Sequence, residues 1–213
     1  MTAMIDSARL KIMFAAIAEA IERDKERLCA LDGVIGDADH GIAMSLGFGA
    51  ARDAVAALDG AADPTTVLNT AAKSFLNAVG ASSGPLYATA FMRAAAAVKG
   101  KAELAADDVV GMFQAMAKGI QDRGKAEIGE KTMIDAWAPA AKAAGEKSAG
   151  GASLADAFRA AAAAAAAGAE ATKAMVAAKG RAERLGERSL GHVDPGAASA
   201  VVVIEAIRKS LTD

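Results

Sequence analysis

The chain is poor in the residues that cross-link or export a small protein. Cys29 is the single cysteine among 213 residues, so no disulfide can form within the chain. A lone cysteine is typical of a reducing compartment. The segment at 1–9 also lacks the basic and apolar regions of a secretory signal. These absences together predict a cytoplasmic protein.

Aromatic residues are scarce, and no segment is apolar enough to cross a bilayer. One Trp, one Tyr and six Phe make up 4% of the chain, although hydrophobic residues as a whole reach 54%. We therefore expect a core of small and aliphatic side chains. The alanine run at 160–167 is too short and too weakly apolar to span a membrane, so it predicts a tightly packed helix.

Charge of one sign is not in large excess either. The net charge is −2, from 24 basic and 26 acidic residues, whereas a surface that binds nucleic acid is normally basic. We therefore expect no direct nucleic-acid partner and no membrane. The length suits one sizeable core and no shift in composition marks a linker, so residues 1–213 are expected to form one domain.

Proline is rare, and the pattern is helical almost throughout. No stretch shows sustained alternation of β-branched residues, which excludes a sheet protein. Asp63-Pro64 and Asp194-Pro195 each indicate an N-cap followed by proline at the first helical position. The start and stop signals predict an all-α fold of eight helices, near 4–30, 41–59, 64–79, 85–99, 105–122, 131–148, 153–179 and 195–211.

The connections between these helices fall into two sets. Those after helices 2, 4 and 6 are plain turns, whereas those after helices 1, 3, 5 and 7 are rich in chemistry. Short connections favour helices that alternate up and down, which would place alternate loops at one end of the bundle. We therefore expect one composite site on a helical scaffold. Its four loops are 32–41, 80–84, 123–131 and 180–194.

The first of these loops carries three carboxylates among three glycines. Asp32, Asp37 and Asp39 would repel one another unless a cation lay between them, and Mg²⁺ is the hard cation that carboxylates commonly hold. The alternative is a solvated acidic turn or an aspartate helix cap. His40 follows directly. It could contact a phosphate or nucleotide group, or simply begin the next helix.

The other three loops offer candidates for binding an anion or a flat ring. Ser82 and Ser83 precede a helix N-terminus, which favours anions, although a tight helix–helix turn needs the same small residues. Arg181 can meet a phosphate in bidentate fashion or neutralise nearby acids. Met133 could pack on a base or belong to the core. Residues 194–196 could hold a sugar or order the loop.

Four motifs, taken together, resemble a known family. They are Ile35–Gly41, Ser83–Tyr87, Arg123–Met133 and Gly180–Ala197, and they resemble the nucleotide-binding L subunit of dihydroxyacetone kinase. The resemblance runs in order over nearly the whole chain. It implies an eight-helix antiparallel barrel with the nucleotide at one end, in agreement with the helix count and the sorting of the loops.

The resemblance also implies roles for individual residues. Asp32, Asp37 and Asp39 would hold two Mg²⁺ ions that bridge the phosphates of ADP or ATP. Arg181 would add positive charge during phosphoryl transfer. The nucleotide site would be formed by His40, Gly41, Ser82, Ser83, Gly124, Met133, Arg181, Asp194, Pro195 and Gly196.

A phosphotransferase with partners is implied as well. In this family a separate K subunit holds the ketose. In the phosphotransferase-linked branch, ADP stays bound and is rephosphorylated by an M subunit, and the Ala-Asp-His form of the first loop favours that branch. The chain departs from the family pattern at Ala43, Glu183 and Arg184. Two alternatives therefore stay open: an ATP-dependent subunit of a related ketose kinase, for erythrulose as an example, and a non-catalytic regulator that senses nucleotide.

Overall fold

The fold is entirely helical in the part of the chain described by the computed structural model, residues 4–80 and 83–212. These residues form eight α-helices and two 3₁₀ helices, Thr172–Ala174 and Arg181–Ser189, with no strand among them. The prediction of an all-α fold is confirmed. The α-helices are α1 Ser7–Ile35, α2 His40–Ala56, α3 Pro64–Ala78, α4 Ser83–Ala97, α5 Ala106–Gly124, α6 Ile134–Ala149, α7 Leu154–Ala171 and α8 Pro195–Thr212.

The eight helices close into a ring. Each helix packs mainly against its neighbours in the chain, and α8 packs against α1 as well as α7. Six of the seven connections between the α-helices have nine residues or fewer, and short connections make successive helices antiparallel. The predicted eight-helix antiparallel barrel is therefore confirmed. Helices α1, α3, α5 and α7 finish at one end, called the site end below, and α2, α4 and α6 finish at the opposite end.

The few aromatic residues are gathered in the core. All six Phe are fully buried, as are Tyr87 and Trp137. Their rings form one continuous series of contacts, most of them edge-to-face or tilted, such as Phe14 with Phe91 at a centroid distance of 5.2 Å. Each such pair is worth about 0.5–1.5 kcal/mol beyond its buried area. The expected core of small and aliphatic side chains thus has an aromatic centre.

Three predicted helix boundaries are wrong in ways that affect the site. Helix α1 continues to Ile35 rather than ending near 30, so Asp32 lies in its last turn. Helix α6 begins at Ile134 rather than 131, which leaves Lys131 in the loop. Helix α7 ends at Ala171 rather than 179, and it passes into the 3₁₀ turn Thr172–Ala174, where the carbonyl of Thr172 accepts a hydrogen bond from the Lys131 side chain. Periodicity cannot report such long-range contacts.

The described helices differ from membrane-spanning segments in length or hydropathy. Within residues 4–80 and 83–212, none combines the length and the apolar character needed to traverse a bilayer.

Candidate functional site

The four unusual loops meet around one cavity at the site end. Its volume is about 340 Å³, and each of the four connections contributes to its wall. Of the predicted residues, Gly41 does not line it, and Ser82 lies outside the described residues. The predicted residues that do line it are Asp32, Asp37, Asp39, His40, Ser83, Gly124, Met133, Arg181, Asp194, Pro195 and Gly196.

The three aspartates of the first loop form a compact oxygen cluster. One carboxylate oxygen from each of Asp32, Asp37 and Asp39 lies within 4.8 Å of the other two. Ala38, between two of them, has a φ of 63°. This left-handed conformation costs a residue other than glycine roughly 1–2 kcal/mol. The bend at Ala38 brings the exposed carboxylates of Asp37 and Asp39 to the same side of the loop.

Asp32 also caps the start of α2. Its Oδ2 atom accepts hydrogen bonds from the backbone amides of Asp39 and His40, at 3.0 and 3.3 Å. The helix-cap interpretation of the acidic loop is therefore correct for Asp32. It leaves the other oxygen of Asp32 and both exposed carboxylates available to a cation.

The donor set of this cluster fits Mg²⁺. Three carboxylates supply hard oxygen ligands, the kind that Mg²⁺ takes when phosphate and water complete its shell. The Arg181 guanidinium lies between two of them, in contact with Asp37 and 3.5 Å from Asp39. A positive group therefore already sits among the carboxylates. A single arginine balances part of their charge, which leaves the cluster attractive to a divalent cation.

His40 connects the acidic loop to α8. Its Nε2 atom lies 2.8 Å from Oγ of Ser199, whose hydroxyl donates to the carbonyl of Gly196 at 2.9 Å. Because the serine proton is used in that bond, we assign the histidine as the donor at Nε2. Burial lowers the pKa of His40, although Asp32 and Asp39 oppose that shift. The imidazole is therefore assigned as neutral near pH 7.

Four helices begin at the site end, and their N-termini carry partial positive charge. They are α2, α4, α6 and α8. The first amides of α8 are capped by Asp194, whose Oδ2 accepts from the Ala197 amide at 2.7 Å. Ser83, the first residue of α4, is buried and lines the cavity. Helix N-termini favour anions through free amides and the helix dipole, so this end suits phosphate.

The cavity also has an apolar side. Leu86 of α4, Ile120 of α5 and Ile134 of α6 line it together with Met133. Met133 is largely buried, so it serves both the core and the cavity wall. A cavity of this size with an apolar side and a few polar groups is typical of small-molecule sites. The apolar side suits a flat ring, and the charged side suits phosphates and metal.

Gly41 has a packing role. A side chain at this position would overlap the carbonyl oxygen of Lys25 and Sγ of Cys29 on α1. The glycine thus allows α2 to approach α1 closely, directly behind the acidic cluster. This placement gives Gly41 an effect on the site through the position of α2.

Several polar residues at the site were missed from the sequence. Lys131 lies among the mixed charges of the third loop, yet its side chain is buried and donates to the carbonyls of Thr172 and His192. Ser199, the partner of His40, lies within a helix that carries no motif of its own. Asp135 accepts hydrogen bonds from two amides of the third loop. Of these three residues, only Lys131 could have been suspected from the sequence, because it directly precedes Thr132 and Met133.

Burial strongly affects one carboxyl at the site. It raises the pKa of Asp194 to about 7, and the positive charge of Lys131 and the amides of Gly196 and Ala197 oppose this rise. Burial also lowers the pKa of Lys131. Two oppositely charged groups thus share a poorly solvated part of the cavity wall, and each favours the charged form of the other.

Comparison with known proteins identifies relatives along most of the chain. The DAK2 domain family matches residues 34–209. The ADP-binding subunit of PEP-dependent dihydroxyacetone kinase 2 from Listeria innocua is 38% identical over 98% of this chain and 96% of its own length. The corresponding subunit from Escherichia coli is 40% identical over 86% of this chain and 87% of its own.

A solved structure shares the fold. The dihydroxyacetone kinase of C. freundii, in complex with AMP-PNP and Mg²⁺, superimposes with a TM-score of 0.72 at 23% identity. The match covers 99% of this chain but 35% of that protein. The present chain therefore corresponds in fold to about a third of that kinase.

Proposed function

This chain belongs to the DAK2 domain family, and we propose that it is the nucleotide-carrying subunit of a dihydroxyacetone-type kinase. In this proposal residues 1–213 act as one domain that presents a phosphoryl group to a ketose held by a separate K subunit. Its similarity over nearly the full length of two ADP-binding subunits supports this assignment.

The observation that carries the proposal is the composition of the cavity. A cluster of three carboxylates, an arginine and several helix N-termini face the same space as an apolar wall. A nucleoside diphosphate with Mg²⁺ has the complementary chemistry, namely anionic phosphates, a divalent cation and a flat base. A site for a cation alone would not need the apolar wall, and a pocket for an apolar ligand alone would not need the carboxylates and the arginine.

The phosphate end is assigned to three parts of the chain. Asp32, Asp37 and Asp39 would hold Mg²⁺, two ions by resemblance to the family, and the metal would neutralise charge on the phosphates. The start of α4, with Ser82 and Ser83, would bind phosphate oxygens through amides and hydroxyls. Arg181 would release its aspartates when the metal binds and turn its charge to the transferring phosphoryl group. Catalysis then consists of positioning and charge stabilisation.

The nucleoside end is assigned to the remaining loops. Met133 and Gly124 would face the base, and the segment 194–196 would contact the sugar. His40 would hydrogen-bond a phosphate or ribose oxygen through Nδ1, the nitrogen left free when Nε2 donates to Ser199. This division predicts that changes at 194–196 affect nucleosides more than inorganic phosphates.

The phosphoryl source completes the proposal. ADP would stay bound as a cofactor, and an M-type phosphotransferase subunit would rephosphorylate it between turnovers. The acceptor hydroxyl and the base that activates it would come from the K subunit. This chain would therefore act on its substrate only in complex with a partner.

Native mass spectrometry of the purified, desalted protein tests this function. ADP retained with about two Mg²⁺ ions, and slow to exchange with added ATP, would support a bound cofactor. An empty protein that binds ATP reversibly would indicate an ATP-dependent kinase subunit instead. A protein that takes up neither nucleotide in the presence of Mg²⁺ would contradict the proposal.

A further inference from the structure

Lys131 is a buried charged residue beside the cavity. Its side chain is 1% exposed, and it is the one lysine in the buried class among the described residues. Burying an ammonium group is unfavourable unless hydrogen bonds and opposite charge compensate. The backbone there is also unfavourable for a lysine, with φ at 60°. A position that combines both costs calls for a specific compensating contact.

The compensation comes from two backbone carbonyls in the fourth connection. Nζ of Lys131 donates to the carbonyl of Thr172 at 2.6 Å and to that of His192 at 2.5 Å. These acceptors stand at the two ends of the long segment between α7 and α8. Lys131 therefore clamps the start of that segment to its end, and both to the third loop.

The same clamp positions the cavity wall at 194–196. The hydroxyl of Thr172 accepts a hydrogen bond from the Asp194 amide at 2.9 Å and donates to the carbonyl of Ala169 at 2.6 Å. His192 lies two residues before Asp194. The lysine thus holds the backbone just before the chain enters α8, and it also holds Thr172, whose hydroxyl binds the Asp194 amide. Thr132 and Met133, directly after Lys131, line the same cavity.

We propose that Lys131 is a positioning residue of the nucleotide site, which fixes the 194–196 wall by holding the Thr172 and His192 carbonyls. The inference rests on the proposed function, because it assigns that wall to the nucleoside. The lysine acts through backbone that it holds in place. Without its ammonium group, the third and fourth loops lose their shared anchor and the wall moves away from the ligand.

The charge of Lys131 gives the proposal a second signature. Of the charged groups that act on Asp194, Lys131 lowers the carboxyl pKa and Asp135 raises it. The Asp194 carboxylate caps α8 at the cavity wall. Removing the lysine charge will therefore raise the Asp194 pKa further above about 7 and extend the pH range in which the cap is protonated.

The test is ADP affinity with Mg²⁺, measured by titration calorimetry for Lys131→Met and a matched control. Lys125→Met is the control, because Lys125 lies in the same loop with φ at 49° but is exposed. We expect Lys131→Met to bind ADP about 10–100-fold more weakly, as for the loss of a supporting hydrogen-bond anchor. We expect the control to stay within about twofold, as for surface substitutions. Equal affinity in folded Lys131→Met and wild type would overturn the positioning role.

The pH profile separates positioning from a general loss of stability. ADP affinity should fall below a midpoint pH that is higher in Lys131→Met than in wild type, with the control unchanged. A lysine that only stabilises the fold would lower thermal stability without changing ADP affinity at any pH, and this result would also overturn the proposal.

A second variant covers the case in which Lys131→Met does not fold. Thr172→Val keeps the side-chain shape and removes the hydroxyl that holds Asp194, so it should also weaken ADP binding while the helical circular dichroism is retained. Wild-type affinity in that variant would count against the clamp. Failure of the unmodified protein to bind ADP would instead contradict the proposed function.

Discussion

The two ends of the barrel begin their helices in different ways. At the opposite end, α1, α3 and α7 start from local caps, since Asp6, Asp63 and Ser153 each accept a hydrogen bond from an amide three residues on. At the site end, α8 has a local cap of the same kind from Asp194, but α2 is capped by Asp32, which belongs to the preceding helix and lies seven residues before the Asp39 amide. Local caps make a helix start self-sufficient, whereas distant caps make it depend on the assembled barrel.

The ends also differ in backbone conformation and buried charge. The three non-glycine residues with positive φ among the described ones, Ala38, Lys125 and Lys131, all lie at the site end. Asp32 and Lys131 are buried there too. At the opposite end, Lys11 simply ties the turn after α2 through the Leu58 carbonyl. Strained backbone and buried charge concentrate at functional sites, and the rest of the fold supplies the stability that keeps them.

The largest effect that should separate the two ends is on nucleotide binding. Asp37→Ala removes one oxygen ligand from the acidic cluster, so Mg²⁺-dependent ADP affinity should fall on the order of 100-fold or more, about 3 kcal/mol. Calorimetric titration with and without Mg²⁺ measures this loss. Asp59→Ala removes an exposed aspartate from a turn at the opposite end and should leave affinity unchanged. If Asp37→Ala binds ADP in the presence of Mg²⁺ as tightly as wild type and the control do, the metal assignment is wrong.

A smaller loss is expected when the arginine of the cluster is replaced. Arg181→Met removes a charge-assisted contact to phosphate worth about 1.5–2 kcal/mol, which corresponds to roughly 10–30-fold in ADP affinity. Its matched control is Arg159→Met, because Arg159 forms an exposed pair with Asp156 in the first turn of α7. A larger effect from Arg159 than from Arg181 would contradict the division between the ends.

The half-buried carboxyl of Asp194 should reveal the site end in the pH dependence of stability. The pKa of Asp194 is about 7 against an ordinary 3.8, so the folded state favours the protonated form, and this stabilisation is lost as the pH rises from about 4 through about 7. Asp194→Asn removes the titration. In urea melts, we compare the free energy of unfolding of the variant with that of wild type at each pH. The difference, variant minus wild type, should be about 1–2 kcal/mol larger at pH 8 than at pH 5. A pH-independent difference would show that the carboxyl is not shifted.

The smallest functional effect should come from a cap at the opposite end. Asp63→Ala removes the side chain that accepts from the Thr66 amide at 2.7 Å and should cost about 1 kcal/mol of stability. ADP affinity of the folded variant should stay within error of wild type, as measured by the same calorimetry. A drop in affinity comparable to that of Arg181→Met would show that the two ends are energetically coupled.

The accuracy of the sequence-based predictions follows the same division. Helix α3 is predicted at 64–79 and observed at Pro64–Ala78, because its start signal, Asp63 followed by proline, is local. Helix α7 is predicted eight residues too long, and the residue after its observed end, Thr172, accepts a hydrogen bond from Lys131, 41 residues earlier in the chain. Local signals are visible in the chain itself, and contacts between distant residues are not.

The residues of the candidate site also differ in how far the sequence could predict them. The acidic loop could be identified from the crowding of Asp32, Asp37 and Asp39 within eight residues. The partnership of His40 with Ser199 could not, because 159 residues separate them. Gly41 was assigned to the ligand, yet its position reflects the close packing of α2 on α1. Chemistry concentrated in one segment is readable, and chemistry assembled from two segments needs the fold.

The amino-acid sequence by itself determined the helical class, the number of helices and the sorting of loops into plain and chemical sets, because periodicity, caps and turns are local properties of a chain. Only the tertiary structure decided which charges are buried and which loops share an anchor. Lys131 and Asp194 are 63 positions apart, and their coupling exists because the closed ring brings the third and fourth loops together.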